Sequence, residues 1–496
     1  MRSFARLACV MALALGGLSA FFFIVGHDID RPDVSDVLPP PAPPISDEEN
    51  MMPTLLGMTN RLVLSQSDKC FVVSCYRNHN WNRRLTIDGT SLVLTTQAAE
   101  DLADGILKTN AELFAAMEVA AKRSRAQYPP DWNLDNDCFL GFVNDSARYG
   151  RVWRFESDLY LYGSLVALRA RRMRECGQSE TAARDLLRLG EMFARLSYHL
   201  ENGALVLHLR SPLLPVQEEL VRSAVDDVLS DATVKQVDVA LVRWSVAARE
   251  AFSRETRRGV LRAATMLPKF RDGISKVVIP ETCFKWPDSV DVPKWLEALA
   301  DALGQGVLAF PGYRRYLFQP NRSVKGWADI VRAVEPYAYA FPATADARTF
   351  FQAFGEAHPT RIRWMRRNGC GVSMVNLYSG WPGSYRLLGS AAFAAEAYRV
   401  AIAAARFNRK NGCPPPTLDA LVPEFLPVVP RDPFDAARPL GYNAEQGTLH
   451  TVGAEGAFNG KVRDPRCPCV GLRVSELKYV IRLDGQRLKG PLKRVR

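Results

Sequence analysis

Two cysteines near the C-terminus, Cys467 and Cys469, have the spacing in this sequence that best suits metal or disulfide chemistry. With His450 or Cys413 they could form a tetrahedral zinc site, because zinc binds thiolates and imidazole nitrogens. A strong zinc signature would contain two Cys-x-x-Cys pairs, which this sequence lacks. We favour disulfides that stabilise an irregular loop, with Cys413 as a candidate partner; free thiols are the other alternative. The sequence therefore predicts no metal.

A second cysteine pair, Cys70 and Cys75, lies in an apolar segment that we predict to be a β-strand. Residues five apart in a strand point to opposite faces, so a bond between these two would need a turn. We therefore expect one or both to be bonded elsewhere.

Candidate catalytic groups are few. Glu250 and Glu255 lie among arginines on a predicted helix, and two carboxylates on one helix could act as general acid and base. Charges three or four residues apart more often form surface ion pairs. The sequence has no nucleophile elbow, P-loop, dinucleotide-binding or His-Glu-x-x-His motif. We predict no catalytic residue and no cofactor, and we favour a protein that is not an enzyme.

The composition is that of a globular protein. The chain has 496 residues, of which 47% are hydrophobic and 24% charged, and its formal net charge is +11. A wholly disordered or collagen-like chain is excluded. The positive charge mildly favours polyanionic surfaces. The basic C-terminal tail could meet anionic lipid headgroups, although a charged, protected edge strand is the favoured interpretation. Nucleic acid is not an expected partner.

The N-terminus indicates where the protein is located. An uncharged run of about 20 residues, Leu7 to Gly26, follows Arg2 and Arg6, and that length spans a bilayer core. A cleaved signal peptide is the alternative, but the bulky neighbours of Ser19-Ala20 make a poor cleavage site. We predict an uncleaved single-pass anchor in a bacterial inner membrane, with a cytoplasmic N-terminus and an extracytoplasmic bulk.

Composition shifts divide the chain into five segments. A run of prolines after the anchor predicts a stiff spacer that holds the folded part off the membrane, and Ser46 with Glu49 predicts a helix start. The predicted segments are a cytoplasmic tip and transmembrane anchor (1–27), a Pro-rich linker (28–46), a short helix and β-hairpin (47–95), a helical body (96–380) and an α+β head with a basic C-terminal hairpin (381–496).

The predicted fold class is mainly α, and the body is an irregular arrangement of packed helix pairs. Apolar periodicity predicts its helices, and the short connection at Gly177 predicts two antiparallel neighbours. Asp88-Gly89 and Asp484-Gly485 each lie between alternating apolar residues, which predicts two hairpins. Further helices are predicted at about 213–230, 234–257, 292–304, 321–335 and 386–409.

The C-terminal region resembles the periplasmic head of type II secretion major pseudopilins. After the alanine-rich helix and Asn411-Gly412, the motifs Leu418-Asp-Ala-Leu-Val-Pro423, Pro430-Arg-Asp-Pro-Phe434, Pro439-Leu-Gly-Tyr442 and Val452-Gly-Ala-Glu-Gly456 follow in the family's order. The resemblance implies a small α+β head. It covers residues 386–459, and the chain lacks the N-terminal pilin processing motif. The acidic residues that would bind calcium after Glu455 are mostly missing.

The chain is also similar to uncharacterised single-pass bacterial envelope proteins with a helical body and the same tail. The segments that carry this resemblance begin at Ala182, Asn202 and Ala251. This resemblance implies an architecture but does not imply an activity. We expect a membrane-anchored extracytoplasmic interaction or scaffold protein, with an envelope protein as partner and a possible association with secretion or pilus-like machinery. The alternatives are an envelope hydrolase with a site in the helical body and a polyanion binder.

Overall fold

A computed structural model of the chain describes most of the helical middle and much of the C-terminal region. The described residues are 16–17, 20, 27–38, 45–58, 61–77, 84–87, 90–93, 95–127, 146–199, 212–226, 229–266, 319–340, 381–433, 435–445, 447–451, 480–482 and 487–488. These residues are mainly helical and include small antiparallel strand pairs near the C-terminus. The predicted helical class and the C-terminal strands are therefore confirmed.

Several predictions concern residues outside the described part. They are the anchor at 7–26 apart from residues 16, 17 and 20, the prolines at 39–44, the Asp88-Gly89 turn, the helix at 292–304, the Asp484-Gly485 turn, Glu455, Cys467 and Cys469. Gly16, Gly17 and Ala20 are helical. None of the helices among the described residues combines the length and the apolar character that a membrane crossing requires.

The chain after the proline run forms two short helices and a hairpin. Helix α1 spans Met52–Met58 and α2 spans Gln66–Arg77. Strands β1 (Arg84–Ile87) and β2 (Thr90–Val93) pair antiparallel, with Ile87 opposite Thr90. This pairing confirms the hairpin predicted around Asp88-Gly89.

The segment around Cys70 and Cys75 is helix α2, so the strand prediction is wrong. The cause is local: the Ser65 N–H donates to Asp68 Oδ2 at 2.9 Å, and the Asp68 N–H donates to Ser65 Oγ at 3.1 Å. This reciprocal cap satisfies donors of the first helical turn, and it outweighs the β-propensity of the valines that follow. Cys70 packs half-buried against the core as a free thiol.

The capping pair predicted at Ser46 forms, but it closes a turn instead of starting a helix. The Glu49 N–H donates to Ser46 Oγ at 3.3 Å. Helix α1 begins only at Met52, whose N–H donates to Asn50 Oδ1 at 3.1 Å.

Two helices, α3 (Thr96–Thr109) and α4 (Ala111–Ala121), meet at Asn110, which is buried. Its side-chain amide donates to the Val63 carbonyl at 3.0 Å and to the Ile106 carbonyl at 2.9 Å. Its Oδ1 accepts from the Val63 N–H at 2.9 Å. Asn110 therefore ends α3 and also joins it to the loop between α1 and α2.

Helices α5 (Ser146–Glu175) and α6 (Ser179–His199) pack against each other, as the short connection predicts. Gly177 has a φ of 76°, and the Gln178 N–H donates to the Met173 carbonyl at 2.9 Å. This left-handed glycine ends α5 in the manner predicted from sequence.

Three further helices complete the body: α7 (Leu213–Asp226), α8 (Asp231–Met266) and α9 (Pro320–Ala340). The Glu180 carboxylate of α6 caps α8 and accepts from the Ser230 N–H and, at 2.7 Å, from Thr233 Oγ1. The bond from the Ser230 backbone lowers the pKa of Glu180 below its ordinary value.

The C-terminal region begins with the long helix α10 (Trp381–Asn411), which ends at Gly412, with a φ of 72°. A 3-10 helix spans Leu418–Leu421, and the Val422–Pro423 peptide bond is cis. The strands pair as a two-stranded sheet β3-β4 and a four-stranded antiparallel sheet β5-β6-β7-β8. Their bounds are β3 Arg431–Asp432, β4 Asp435–Pro439, β5 Gly441–Asn443, β6 Thr448–His450, β7 Val480–Arg482 and β8 Arg487–Leu488.

One apolar core joins the body to the C-terminal region. It runs from Met51 in the first segment through α3–α8 to Leu449 in β6, and α10 contributes Ala397, Tyr398 and Ala401 to it. A second group of buried apolar residues lies outside this core, where α8 packs on α9. Its members are Val34, Val37, Val260, Ala263, Val324, Trp327, Ala328 and Val331.

Part of the predicted linker is packed against the body. Val34 and Val37 are buried, and Arg332 of α9 donates to the Asp36 carboxylate. Beyond the proline run, Asn50 forms a parallel bridge with Arg125. The described residues 28–38 therefore differ from the free spacer that composition suggests, because their apolar side chains are covered by α8 and α9.

The close crossing of α5 with the residues before α7 generates a test of the packing. A methyl group added at Gly163 would collide with the carbonyl oxygen of Pro212, whereas nothing lies within 4 Å of one added at Gly105. Gly163→Ala should lower the free energy of unfolding by about 1–3 kcal/mol. Gly105→Ala, also within a helix, should raise it by about 0.5–1 kcal/mol. Urea unfolding measures both; a neutral Gly163→Ala would contradict the crossing.

Candidate functional site

A groove in the C-terminal region is the candidate site, and three short elements form it. The 3-10 helix Leu418–Leu421 supplies one wall and the connection to β3 supplies a second. The junction of β4 and β5 supplies the third, where the Leu440 N–H donates to the Pro430 carbonyl at 2.9 Å. Buried Leu418, Leu421 and Leu440 attach these elements to the core.

The groove has a volume of about 560 Å³ and is open to solvent. Most of its lining is apolar, and Val428 is 64% exposed at the surface. The lining residues are Pro416, Thr417, Leu418, Asp419, Val422, Pro427, Val428, Val429, Arg431, Pro439, Leu440 and Tyr442.

Four polar side chains, those of Thr417, Asp419, Arg431 and Tyr442, line the groove. The Tyr442 hydroxyl donates to the Pro415 carbonyl at 2.8 Å, and burial raises the pKa of Tyr442 above its ordinary value, so the phenol is neutral. Asp419 and Arg431 are exposed, and Arg431 Nη1 donates to the Ala437 carbonyl at 3.4 Å. The groove therefore offers one carboxylate and one guanidinium beside apolar walls.

A buried hydrogen bond supports the groove from behind. The Thr451 hydroxyl donates to Asp432 Oδ1 at 2.6 Å, and the two residues are 0% and 1% exposed. This bond ties β3 to the end of β6. The described lining contains no histidine, cysteine, serine or glutamate, and Asp419 is its one carboxylate.

The candidate metal residues fall at different places in the fold. Cys413 is an exposed free thiol just after α10. His450 is half-buried on β6, and its imidazole lies against Gly441 of β5, where there is no room for a Cβ atom. Cys467 and Cys469 lie outside the described residues. Within the described part of the chain, no group of three or more histidine, cysteine or acidic side chains could hold a metal ion.

The groove was not predicted as a site, yet the sequence contained an indication of it. The motifs beginning at Leu418, Pro430 and Pro439 were noted for their family resemblance, and they supply most of the lining.

The two carboxylates that the sequence suggests as an acid–base pair, Glu250 and Glu255, both lie on α8. Glu250 is exposed on α8, and the side chain of Glu255 is outside the described part.

A buried charge cluster, which the sequence did not predict, joins α5, α7 and α10. Glu219 is 2% exposed and accepts from Arg174 Nη1 at 2.6 Å and from Arg222 Nη1 at 3.2 Å. Beside it, Glu218 is 5% exposed and accepts from the Tyr398 hydroxyl at 3.4 Å. Because both carboxylates are covered and hydrogen-bonded, this cluster joins helices and is poorly placed to meet a substrate.

Comparisons of the chain with protein-family models, with curated proteins and with solved structures each returned no match. The two family resemblances therefore rest on the sequence motifs alone.

The burial of the charge cluster predicts that two ion pairs contribute unequally to the free energy of unfolding. Arg174→Ala leaves a buried carboxylate with one cation fewer, and it should lower the free energy of unfolding by about 3 kcal/mol. Lys410→Ala removes a pair with Glu424 in which both side chains are 57% exposed. This substitution should change the free energy of unfolding by at most about 0.5 kcal/mol. Urea unfolding compares the two. Equal losses would show that the cluster is not the buried linkage described.

Proposed function

We propose that this protein is a membrane-anchored, extracytoplasmic interaction protein whose groove binds an extended segment of an envelope protein. The observation that carries the proposal is the groove itself: an open apolar channel of about 560 Å³ with an exposed valine and two charged side chains. Apolar pockets with a few placed polar groups are the usual means of recognising a peptide segment.

The extended form of the ligand follows from the groove's borders. Among the described strands, β5 forms one edge of the four-stranded sheet, and its residue Tyr442 lines the groove. A sheet edge accepts a further extended strand through backbone hydrogen bonds. Asp419 and Arg431 add opposite charges at the surface of the groove, which would select a segment with complementary charges.

The membrane anchor and the pseudopilin-like character of the head belong to the same proposal. The uncharged run 7–26 behind Arg2 and Arg6 supports the anchor. The ordered motifs in 386–459, together with a helix followed by antiparallel strands, support the head and an association with secretion or pilus-like machinery. The missing processing motif argues against assembly as a pilin.

The hydrolase alternative requires a solvent-accessible acid or nucleophile in the body. Glu218 and Glu219, the buried carboxylates described above, do not meet that requirement, because they are 5% and 2% exposed. Glu250 on α8 is exposed and does meet it, so activity profiling of the protein is the test of this alternative.

A substitution at the exposed valine tests the groove. Val428→Asp places a charge on the apolar wall, and in native membranes it should reduce cross-linked partner per tagged protein about tenfold, the loss expected for a central contact. The readout is quantitative mass spectrometry of full-length protein that is recovered equally in each sample.

The matched control is Val63→Asp, because Val63 is also an exposed loop valine, at 56%, and lies outside the groove lining. It should leave partner recovery unchanged. If both variants lose partner to the same extent, or neither does, the groove is not the binding surface.

A further inference from the structure

We infer that the start of helix α9 lies on the phospholipid headgroups of the membrane, held there by residues 28–38, here called the N-terminal clasp. The inference rests on the proposed anchor and goes beyond it, because it assigns a lipid-facing surface to the folded body and an orientation to the groove.

The first contact of the clasp is a helix cap supplied from far away in sequence. The Asp28 carboxylate accepts from the backbone N–H of Asn321 at 2.7 Å and of Arg322 at 3.0 Å. The Asn321 side chain donates in return to the Ile29 carbonyl at 2.9 Å. The anion satisfies free donors of the first turn of α9 and complements the helix dipole.

The second contact lies about three turns further along α9. Arg332 donates through Nε and Nη2 to the two oxygens of Asp36, at 2.7 Å each. Hydrogen bonding from Arg332 lowers the pKa of Asp36, so the carboxylate is ionised at neutral pH. Arg257 of α8 donates to the Asp36 carbonyl at 3.2 Å. The clasp is therefore attached to α8 and α9 at several points.

Chain length then places α9. Asp28 is two residues beyond Gly26, the end of the uncharged run, so its Cα lies within about 7 Å of that end. Headgroups occupy roughly 5–8 Å on each side of a hydrocarbon core of about 30 Å. With Asp28 hydrogen-bonded to Asn321, the start of α9 lies in or just above the headgroup layer; Gln319, Ser323 and Val324 are buried there, and Lys325 is exposed.

Charge alone would not produce this orientation. The exposed residues beside the cap are His27, Asp30 and Arg31, which include both signs. The covalent link and the clasp hold the surface in place, so salt should affect the contact little.

The far end of α8 provides a control position. Arg257 contacts the clasp, while Asp231, 26 residues earlier in α8, accepts from Arg406 of α10 at 3.0 Å. At 1.5 Å per residue these two points are about 39 Å apart. Lys410, one turn beyond Arg406, is therefore remote from the clasp.

The experiment uses the full-length chain in vesicles of phosphatidylethanolamine and phosphatidylglycerol. A photoreactive benzophenone amino acid replaces Lys325, 54% exposed in α9, or Lys410, 57% exposed. After illumination, cross-linked phospholipid is measured by mass spectrometry. Position 325 should yield at least fivefold more lipid adduct than position 410, with little dependence on salt.

A carbonate wash of the same vesicles separates the two proposals. Protein released by the wash would overturn the anchor and this inference together. Protein that is retained but labels equally weakly at both positions would overturn only the lipid contact of α9.

Substitutions at the cap refine the test. Asp28→Ala should reduce lipid adducts at position 325 at least threefold while carbonate retention stays unchanged. Asp28→Asn, whose side chain caps helices well, and Asp30→Ala, at an exposed position, should retain them. Unchanged labelling in Asp28→Ala would show that the Asp28 cap does not hold the start of α9 at the membrane. If Asp28→Ala fails to fold, the comparison of positions 325 and 410 still decides.

Discussion

Helix α10 packs into the helical body, and both the core and the groove depend on this contact. Its inward positions are mostly alanine, and Ala397, Tyr398 and Ala401 are fully buried. Small side chains let α10 approach α7 and α8 closely, so dispersion contacts and apolar burial join the two regions. The single large residue among these three, Tyr398, places its hydroxyl beside the buried Glu218.

Arginines along the flank of α10 specify its register. Arg399 donates to Asp238 at 2.6 Å and Arg406 donates to Asp231 at 3.0 Å, both on α8. Arg409 donates to the carbonyls of Ala224 and Val225 at the end of α7, where a cation complements the helix dipole. Apolar alanines alone would allow the helix to slide, whereas these directional bonds require one position.

Local patterns allowed most of the described helices, both hairpins and the end of α5 at Gly177 to be predicted from sequence, because each depends on neighbours in the chain. The strand predicted around Cys70 is wrong, because the Ser65–Asp68 cap starts a helix there. The cap that Asp28 supplies to α9 and the Arg174–Glu219 pair could not be predicted, because their partners are distant in sequence. The groove's lining motifs were visible in the sequence, but their meeting depends on how the 3-10 helix folds back onto β4 and β5.

Helix α8 connects the clasp with the C-terminal end of α10. Its 36 residues span about 54 Å, and about 39 Å of that length separates Arg257, which contacts the clasp, from Asp231, which contacts Arg406 of α10. Each helical turn of α8 adds about 5.4 Å. The number of turns in α8 therefore sets the distance between the clasp and a partner bound in the groove. Adding or removing whole turns of α8, together with matching turns of α10, would change that distance without altering the residues of the clasp or of the groove.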